Sequence, residues 1–406
     1  MSLQQTNSSK HSAARLFLPV RVLAVVATYV SATVFQLVLL DIASSLNTTA
    51  GTASQIPAIS RLVGVAVGLV ISFLSIKFNH KSLLIFGLGL SAVGAVGNSF
   101  APNVFSMIIS DSFRGAGFVI IGAMVLALIG EVLSSEKRGS AVGWIQSSSF
   151  IAYMIASPAT TLITNTVGWR AVMSGFVFPL ALVSIILVFL TVPSQKSSSP
   201  LISKTTYIKA YKQVLSNRCI LGCFVAYAGN YAAAAFLTYY VSFYRIHFNM
   251  PLSYGGIIVI IGAIVGTSSA LVSGKLIGYA GRKRLGVIAG MANGALIISF
   301  LFMPTLISSV ILRLAAAFFG SMALVSFAAL VIEQVSEHKG TLTSIYSTLG
   351  GIGTVIGLAA GGFVLNLFNN YQLLMVILGS LGIVSAVVFL LLATDKPKSK
   401  TAELKF

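Results

Sequence analysis

Polar breaks divide the chain into twelve long apolar runs, at roughly 17–44, 54–76, 82–99, 103–133, 139–165, 170–192, 219–244, 252–279, 285–303, 306–335, 340–368 and 371–394. Nearly all reach the ~20 residues a helix needs to cross hydrocarbon. Several exceed it, which predicts tilt or extension beyond the bilayer. The breaks are short except for Pro193 to Asn217, which opens with Pro-Ser-Gln-Lys-Ser-Ser-Ser-Pro near the middle of the chain. That stretch reads as a linker. The pattern predicts an all-α membrane protein of twelve transmembrane helices in two pseudo-symmetric six-helix bundles: residues 1–192, a linker at 193–218, and residues 219–406.

The halves repeat one another. Ser72 to Lys81, at the end of the second run, aligns with Gly274 to Lys283 at the end of the eighth, a shift of 202. Nearly the same shift carries Gly64 onto Gly266, Glu131 onto Glu333, and Glu136-Lys-Arg-Gly-Ser140 onto Glu337-His-Lys-Gly-Thr341. Parallel repeats about an axis normal to the membrane put a substrate path between the halves, near the midplane.

Composition supports this reading. Of 406 residues, 56% are hydrophobic and 8% charged, with a mean hydropathy of +0.95. A soluble protein is about 25% charged, so a water-soluble enzyme, a secreted disulfide scaffold and a disordered chain are excluded. The net charge of +18 reflects basic loops in contact with a lipid bilayer, and nucleic acid is not an expected partner. Lysines and arginines gather at the two ends and in the even-numbered connections, so both termini are expected in the cytoplasm, with the chain integral to the cell membrane. The first run follows a polar segment without a small-residue cleavage site and reads as an uncleaved span. Cys219 and Cys223 lie one turn apart in one apolar run, which suits neither a disulfide nor a complete metal site. The four histidines fall in tails or loops. No phosphate-binding G-x-x-x-x-G-K-[ST] occurs, so ATP is not the expected energy source. No cofactor, metal or enzymatic role is expected.

The loop between runs eight and nine carries Gly274 and Gly281-Arg282-Lys283, with Gly278 between them. Its first copy begins at Ser72 and ends in Asn79-His80-Lys81, with Ile76 within it. Together with Gly168-Trp169-Arg170 after run five, Asp111-Ser-Phe-Arg114-Gly-Ala-Gly117 in run four and Ser157-Pro158 in run five, the chain resembles the major facilitator superfamily. Within it, the chain resembles the twelve-helix drug/proton antiporter group. The family loop is G-x-L-x-D-R-x-G-R-K, so Ile76 and Gly278 occupy its Asp position. The family's helix-four R-x-x-Q-G-x-G has Asp111 in the Arg place and Arg114 in the Gln place. The resemblance implies a secondary active transporter of a small organic solute, working by alternating access and exporting in exchange for protons, as a monomer. A proton-coupled importer or uniporter is the alternative within transport, and a non-transporting receptor or sensor on a carrier fold the alternative outside it.

Charges inside spans cost several kcal/mol unless paired or hydrated, so each is a functional candidate. Asp41, Arg61, Asp111 and Arg114 are expected to cluster in the first half and serve proton coupling, Asp111 and Arg114 sharing a face at i,i+3. Burial and a nearby guanidinium push a carboxylate's affinity for protons in opposite directions, so small movements can load and release one. A static pair bridging helices is the competing reading. Arg313, the repeat counterpart of Asp111, has no acid at its depth in its own half. It requires Asp111 itself, an anionic substrate, or carbonyls and water. Tyr227, Asn230 and Tyr231, with Thr238 and Gln36, are expected to line a substrate cavity. Gln146 and Asn293 are weaker candidates, and Tyr244 reads as an interfacial belt residue. At the inner loop mouths, Glu131, Arg138, Glu333, Lys81, Arg282 and Arg284 are expected to form a gate by pairing and separating. Glu131 and Arg138 also reproduce an E-(x)6-R spacing found in sugar-carrying members of the family. Glycines four apart, at 64 and 68, 262 and 266, and 353, 357 and 361, let helix backbones approach and slide.

Overall fold

A computed structural model describes residues 2–132, 135–192, 218–334 and 339–394. Side chains at 1–17, 72–73, 76–77, 130–143, 146–147 and 332–347 are outside the described set. The expected linker thus lies outside the described residues, save Arg218. The helices are α1 (Ser2–Ser45), α2 (Ala50–Lys77), α3 (His80–Phe100), α4 (Val104–Val132), α5 (Ser135–Thr166) and α6 (Trp169–Thr191). They continue as α7 (Arg218–His247), α8 (Leu252–Ala280), α9 (Arg282–Phe302), α10 (Leu306–Gln334), α11 (Lys339–Phe368) and α12 (Tyr371–Leu392). Eleven of these have described stretches long and apolar enough to cross a membrane. The other is α5, whose apolar runs are diluted by serines and threonines. Helix ends fall close to the sequence expectation, except that α1 begins at Ser2 rather than near residue 17.

Turn chemistry sets the boundaries. Thr49, Asn79 and Asn370 cap α2, α3 and α12 by accepting the backbone N–H of Thr52, Lys81 and Leu373, which satisfies donors a helix start leaves open. The chain adopts positive φ at Asn47 (49°) and Asn249 (50°), after α1 and α7, and at Gly168 (102°) and Asn369 (46°), after α5 and α11. Asn and Gly tolerate that region best. Asn47 and Asn249 are 202 apart, so the repeat extends to its turns.

Three helices are interrupted. Val38 in α1 leaves helical geometry (φ −113°, ψ 26°). A π turn at Met173–Val177 sits inside α6. In α7, helix Arg218–Ala234 gives way to Phe236–His247 across a break at Ala235.

Packing follows the duplication. Contacts of α1 with α5 and α6, of α2 with α4, and of α3 with α4 and α6 recur with six added to each number: α7 with α11 and α12, α8 with α10, and α9 with α10 and α12. The two sets meet chiefly where α2 packs on α11, α5 on α8 and α1 on α7, with a smaller contact of α1 on α8.

The spaced glycines lie on seams between helices. A methyl at Gly353 or Gly357 would overlap the Ala228 or Ala232 carbonyl of α7, one at Gly361 would meet the Tyr239 ring, and one at Gly64 would come 2.8 Å from the Gly115 carbonyl of α4. Close backbone approach is what small residues permit between spans. Overfilling such a seam costs about 1–3 kcal/mol. Gly357→Val is therefore expected to lower the melting temperature in detergent, followed with a thiol-reactive dye that reports exposure of the buried Cys219 and Cys223. Gly89→Ala, with open space around its added carbon, should melt like the unmodified chain. Equal melting of both variants would show the α7–α11 seam to be loose.

Candidate functional site

Two neighbouring cavities with walls in common lie between the repeats. The larger, about 340 Å³, is lined by Tyr29, Arg61, Arg114, Phe118, Tyr227, Tyr231 and Thr238 among others. The smaller, about 140 Å³, is lined by Asn230, Asn293, Arg313 and Gly262 among others. Gln36 and Tyr153 border both. Each cavity takes its walls from both repeats.

Asp111 is fully buried and Arg114 is 3% exposed. Arg114 donates from Nε to Oδ1 at 2.5 Å and from Nη2 to Oδ2 at 2.7 Å, and Asn98 donates from Nδ2 to Oδ1 at 2.9 Å. The one-turn spacing along α4 makes the bidentate pair possible. Ser60 of α2 donates to the Asp111 backbone carbonyl at 2.6 Å. Gly115 is required beside it, since a methyl there would overlap the Ser60 carbonyl. Arg114 reaches the larger cavity while Asp111 stays behind it.

Arg61 also lines the larger cavity. No hydrogen-bond or ion-pair partner joins it among the described residues; its guanidinium lies 4.0 Å from the centre of the Phe118 ring. The negative face of the ring supplies part of what a carboxylate would.

Asp41 is not part of this cluster. Arg245 of α7 holds its carboxylate with two bonds, from Nη1 to Oδ2 and from Nη2 to Oδ1 at 3.1 Å. The expectation failed because an acid near a helix end can be reached from the facing helix of the other repeat. Gln36 behaves likewise, donating from Nε2 to the Tyr240 hydroxyl at 3.2 Å. Both pairs span 204 residues, so near-equivalent positions of α1 and α7 face one another.

Arg313 is 2% exposed, with its guanidinium 4.3 Å from the Tyr240 ring centre. Its Nε and Nη1 atoms are buried without a hydrogen-bond partner. Of the partners expected for it, Asp111 is occupied by Arg114. Asn293 donates from Nδ2 to Asn230 Oδ1 at 3.2 Å, and Asn230 donates to the Gly320 carbonyl at 3.4 Å. The Tyr227 and Tyr231 hydroxyls are 3.3 Å apart.

Tyr244 is fully buried, with its hydroxyl 3.2 Å from Ser309 Oγ. It is therefore not a belt residue: α10 covers the face that periodicity alone left open. Lys81 turns to α6, donating to the Phe189 carbonyl at 2.8 Å. Both residues belong to the first repeat, so Lys81 stitches that half internally. Arg282 and Arg284 begin α9, half-buried and exposed respectively. The side chains of Glu131, Arg138, Glu333 and Gln146 lie outside the described residues.

Bonds between the repeats cluster at the end of the molecule opposite the termini. Besides Asp41 with Arg245, Thr49 and Thr52 contact Asn366, Gln55 donates to the Ala359 carbonyl at 3.2 Å, and the Tyr239 hydroxyl, which also bonds Leu358 of its own repeat, lies 3.0 Å from Ser54 Oγ. The same end is braced within the first repeat: Trp169 donates from its indole nitrogen to Ser45 Oγ at 3.0 Å, and Arg170 to the Ala101 carbonyl at 3.0 Å.

Asn98, Tyr240, Arg245, Phe118 and Tyr153 were not singled out as site residues. Asn98 carried a signal, as a polar side chain in an apolar span. The aromatic residues carried none, since rings are ordinary in spans.

Membrane-spanning helices in two matching sets around a central cavity define a membrane carrier. The family model described as Major Facilitator Superfamily matches residues 22–311 and 281–405, and the chain belongs to that family of transporters. It is 25% identical over 382 residues to the inner membrane transport protein YajR of Escherichia coli K12, covering 85% of this chain and 78% of that one. It is 27% identical over 350 residues to the inner membrane transport protein YdhP of Escherichia coli O157:H7, covering 79% and 83%. The match to YbcL of Bacillus subtilis, an uncharacterized transporter of the same type, is 26% identical and spans 39% of this chain and 41% of the relative. Among solved structures, a bacterial homolog of the human lysosomal transporter Spinster, inward-facing and unoccupied, superposes with a TM-score of 0.79 at 13% identity, covering 93% of this chain and 96% of that one. A D-xylose-proton symporter superposes at 0.75 and 14% identity, covering 93% and 97%.

The Asp41–Arg245 pair is part-exposed, at 28% and 21%, and such pairs are worth up to about 1 kcal/mol. Asp41→Asn should therefore shift the balance between closed and open distal ends by up to about fivefold. Spin labels at Thr48 and Asn369, in the distal turns of the two repeats, would report a broadened, longer distance distribution. An unchanged distribution would make the pair a passive bond.

Proposed function

We propose that the protein is a secondary active transporter of a small organic solute, working by alternating access between bundles of residues 1–192 and 219–406, with proton coupling through Asp111. Positive-inside loop charge supports a cytoplasmic location for both termini. The distal end then faces outward, and the structure, bonded shut there, is inward-facing. The inward-facing state in the Spinster homolog's description fits this reading.

The observation that carries the coupling is the Asp111–Arg114 pair. A buried carboxylate is bonded to a guanidinium that lines the cavity, so the proton on one sets the charge presented by the other. Protonating Asp111 weakens the fork and leaves Arg114 with an uncompensated charge at the cavity wall. Breaking such a buried pair costs about 3–5 kcal/mol, so the proton must arrive together with a change in what Arg114 faces. The rocking of one bundle against the other supplies that change.

Resemblance to the drug/proton antiporter group favours export in exchange for protons. A specific observation favours a second reading, co-transport of a proton with an anion. Among the described residues no carboxylate lines either cavity, while Arg61, Arg114 and Arg313 do. Protonation of Asp111 and entry of an anion would then assist each other, since each balances the charge the other introduces.

In proteoliposomes, solute flux should follow an imposed pH gradient, and its direction separates exchange from co-transport. Asp111→Asn should abolish gradient-driven accumulation while leaving substrate exchange measurable, which also shows that the variant folds. Wild-type flux indifferent to the gradient would establish a uniporter instead.

A further inference from the structure

The larger cavity combines aromatic faces with the Arg61 and Arg114 guanidiniums, while the smaller one has unmet polar demand of a definite kind. Arg313 is 2% exposed there, with its Nε and Nη1 donors unpartnered. Burying unmet donors of a charged group is costly unless something fills the space. The space is built for that guanidinium. A methyl at Gly262 would overlap Nη1 and come 2.8 Å from Cζ, so only glycine leaves the notch open. On the same chamber Asn293 carries an unpartnered acceptor, Oδ1, with its amide nitrogen committed to Asn230. A methyl at Gly320 would come 3.0 Å from that oxygen.

We propose that the chamber beside Arg313 is a subsite for the head of a hydroxycarboxylate, whose apolar remainder extends past Gln36 and Tyr153 into the larger cavity. The assignment rests on the transporter reading above and narrows its substrate class. Among the described residues a single guanidinium is the only charged group lining the chamber, which matches one negative charge and disfavours a dianionic phosphate. The two unmet donors lie on either side of Cδ and not on one edge, so no single carboxylate forks both; they call for separated acceptors on one ligand, a carboxylate oxygen at one and a hydroxyl oxygen at the other. The Asn293 oxygen calls for a donor on the same ligand. A hydroxyl supplies it without adding charge, whereas an ammonium would find no acid in the chamber to balance it. At about 140 Å³ the chamber takes a carboxylate and one or two substituted carbons, leaving the rest of the molecule among Tyr29, Phe118 and Tyr227. Discrimination against a ligand lacking the hydroxyl follows because the buried acceptor would then stay unpaired.

The test uses the full chain in nanodiscs and four probes: phenyllactate, 3-phenylpropanoate lacking the hydroxyl, phenylalanine with an ammonium in its place, and inorganic phosphate. Calorimetry should show binding in the order phenyllactate, phenylpropanoate, phenylalanine, with phosphate not binding. Arg313→Gln should weaken phenyllactate binding at least about tenfold, with Arg313→Lys intermediate. Asn293→Ala should bring phenyllactate down to the level of phenylpropanoate while sparing the latter. Gly262→Ala, which alters no charge, should weaken all carboxylates by displacing the guanidinium, and so covers the case in which Arg313→Gln does not fold. Failure of the wild-type chain to bind any probe, phosphate as the preferred ligand, or carboxylate binding unchanged in both the Arg313→Gln and Gly262→Ala variants would overturn the assignment. Proton-driven flux of other solutes, uninhibited by phenyllactate, would sink the subsite and leave the transporter standing. Binding as expected with no flux in proteoliposomes would do the reverse.

Discussion

A guanidinium taken out of water must find a carboxylate, a ring face or a ligand, and the way four arginines meet that demand organises this protein. Arg114 has the carboxylate of Asp111 in a buried fork, and Arg245 reaches across to Asp41. Arg61 and Arg313 lie against aromatic residues, Phe118 and Tyr240, and neither has a carboxylate partner among the described residues. A ring offsets part of the lost hydration and leaves the charge itself uncompensated. Arg245 ties α7 to α1, while Arg114 is paired within α4 and still reaches the larger cavity. Arg61 and Arg313, which lack a carboxylate, line the cavities too, where an incomplete solution can be completed by something that comes and goes.

Backbone proximity is the second organising element. Glycines on α11 bring it onto α7 closely enough that a single added carbon would strike carbonyl oxygens, and α2 approaches α4 in the same way at Gly64 and Gly115. Without large side chains keyed into holes, such surfaces resist sliding little. The bonds that would hinder movement between the repeats are instead concentrated at the distal end, where Thr49, Gln55, Asp41 and Tyr239 find partners in the other half.

The helices were legible because the bilayer imposes one length and one composition on each of them. The duplication was legible too, and it held more than was read from it. Asp41 and Gln36 find Arg245 and Tyr240 at a separation of 204, close to the repeat offset, so an axis between α1 and α7 implies both pairs. What could not be read was which face of a uniformly apolar helix turns inward. Tyr244 shows this: aromatic residues near a helix end serve a lipid interface or a core equally well, and only the placement of α10 decides. The open donors of Arg313 were similarly hidden, since their freedom depends on Asp111 being claimed by a neighbour one turn away.

The break at Ala235 divides α7 by allegiance as well as by geometry. Below it, the segment holding Tyr227 and Asn230 is fastened to α10 and packed on α11 of its own repeat. Above it, Tyr239, Tyr240 and Arg245 bond to Ser54, Gln36 and Asp41 of the other. The upper segment is thus bonded to both bundles at once, since Tyr239 and Tyr244 also hold Leu358 and Ser309 of its own repeat. Parting the distal end therefore means breaking its bonds to Ser54, Gln36 and Asp41 while those to its own bundle hold, which makes this half-helix the hasp of the distal closure.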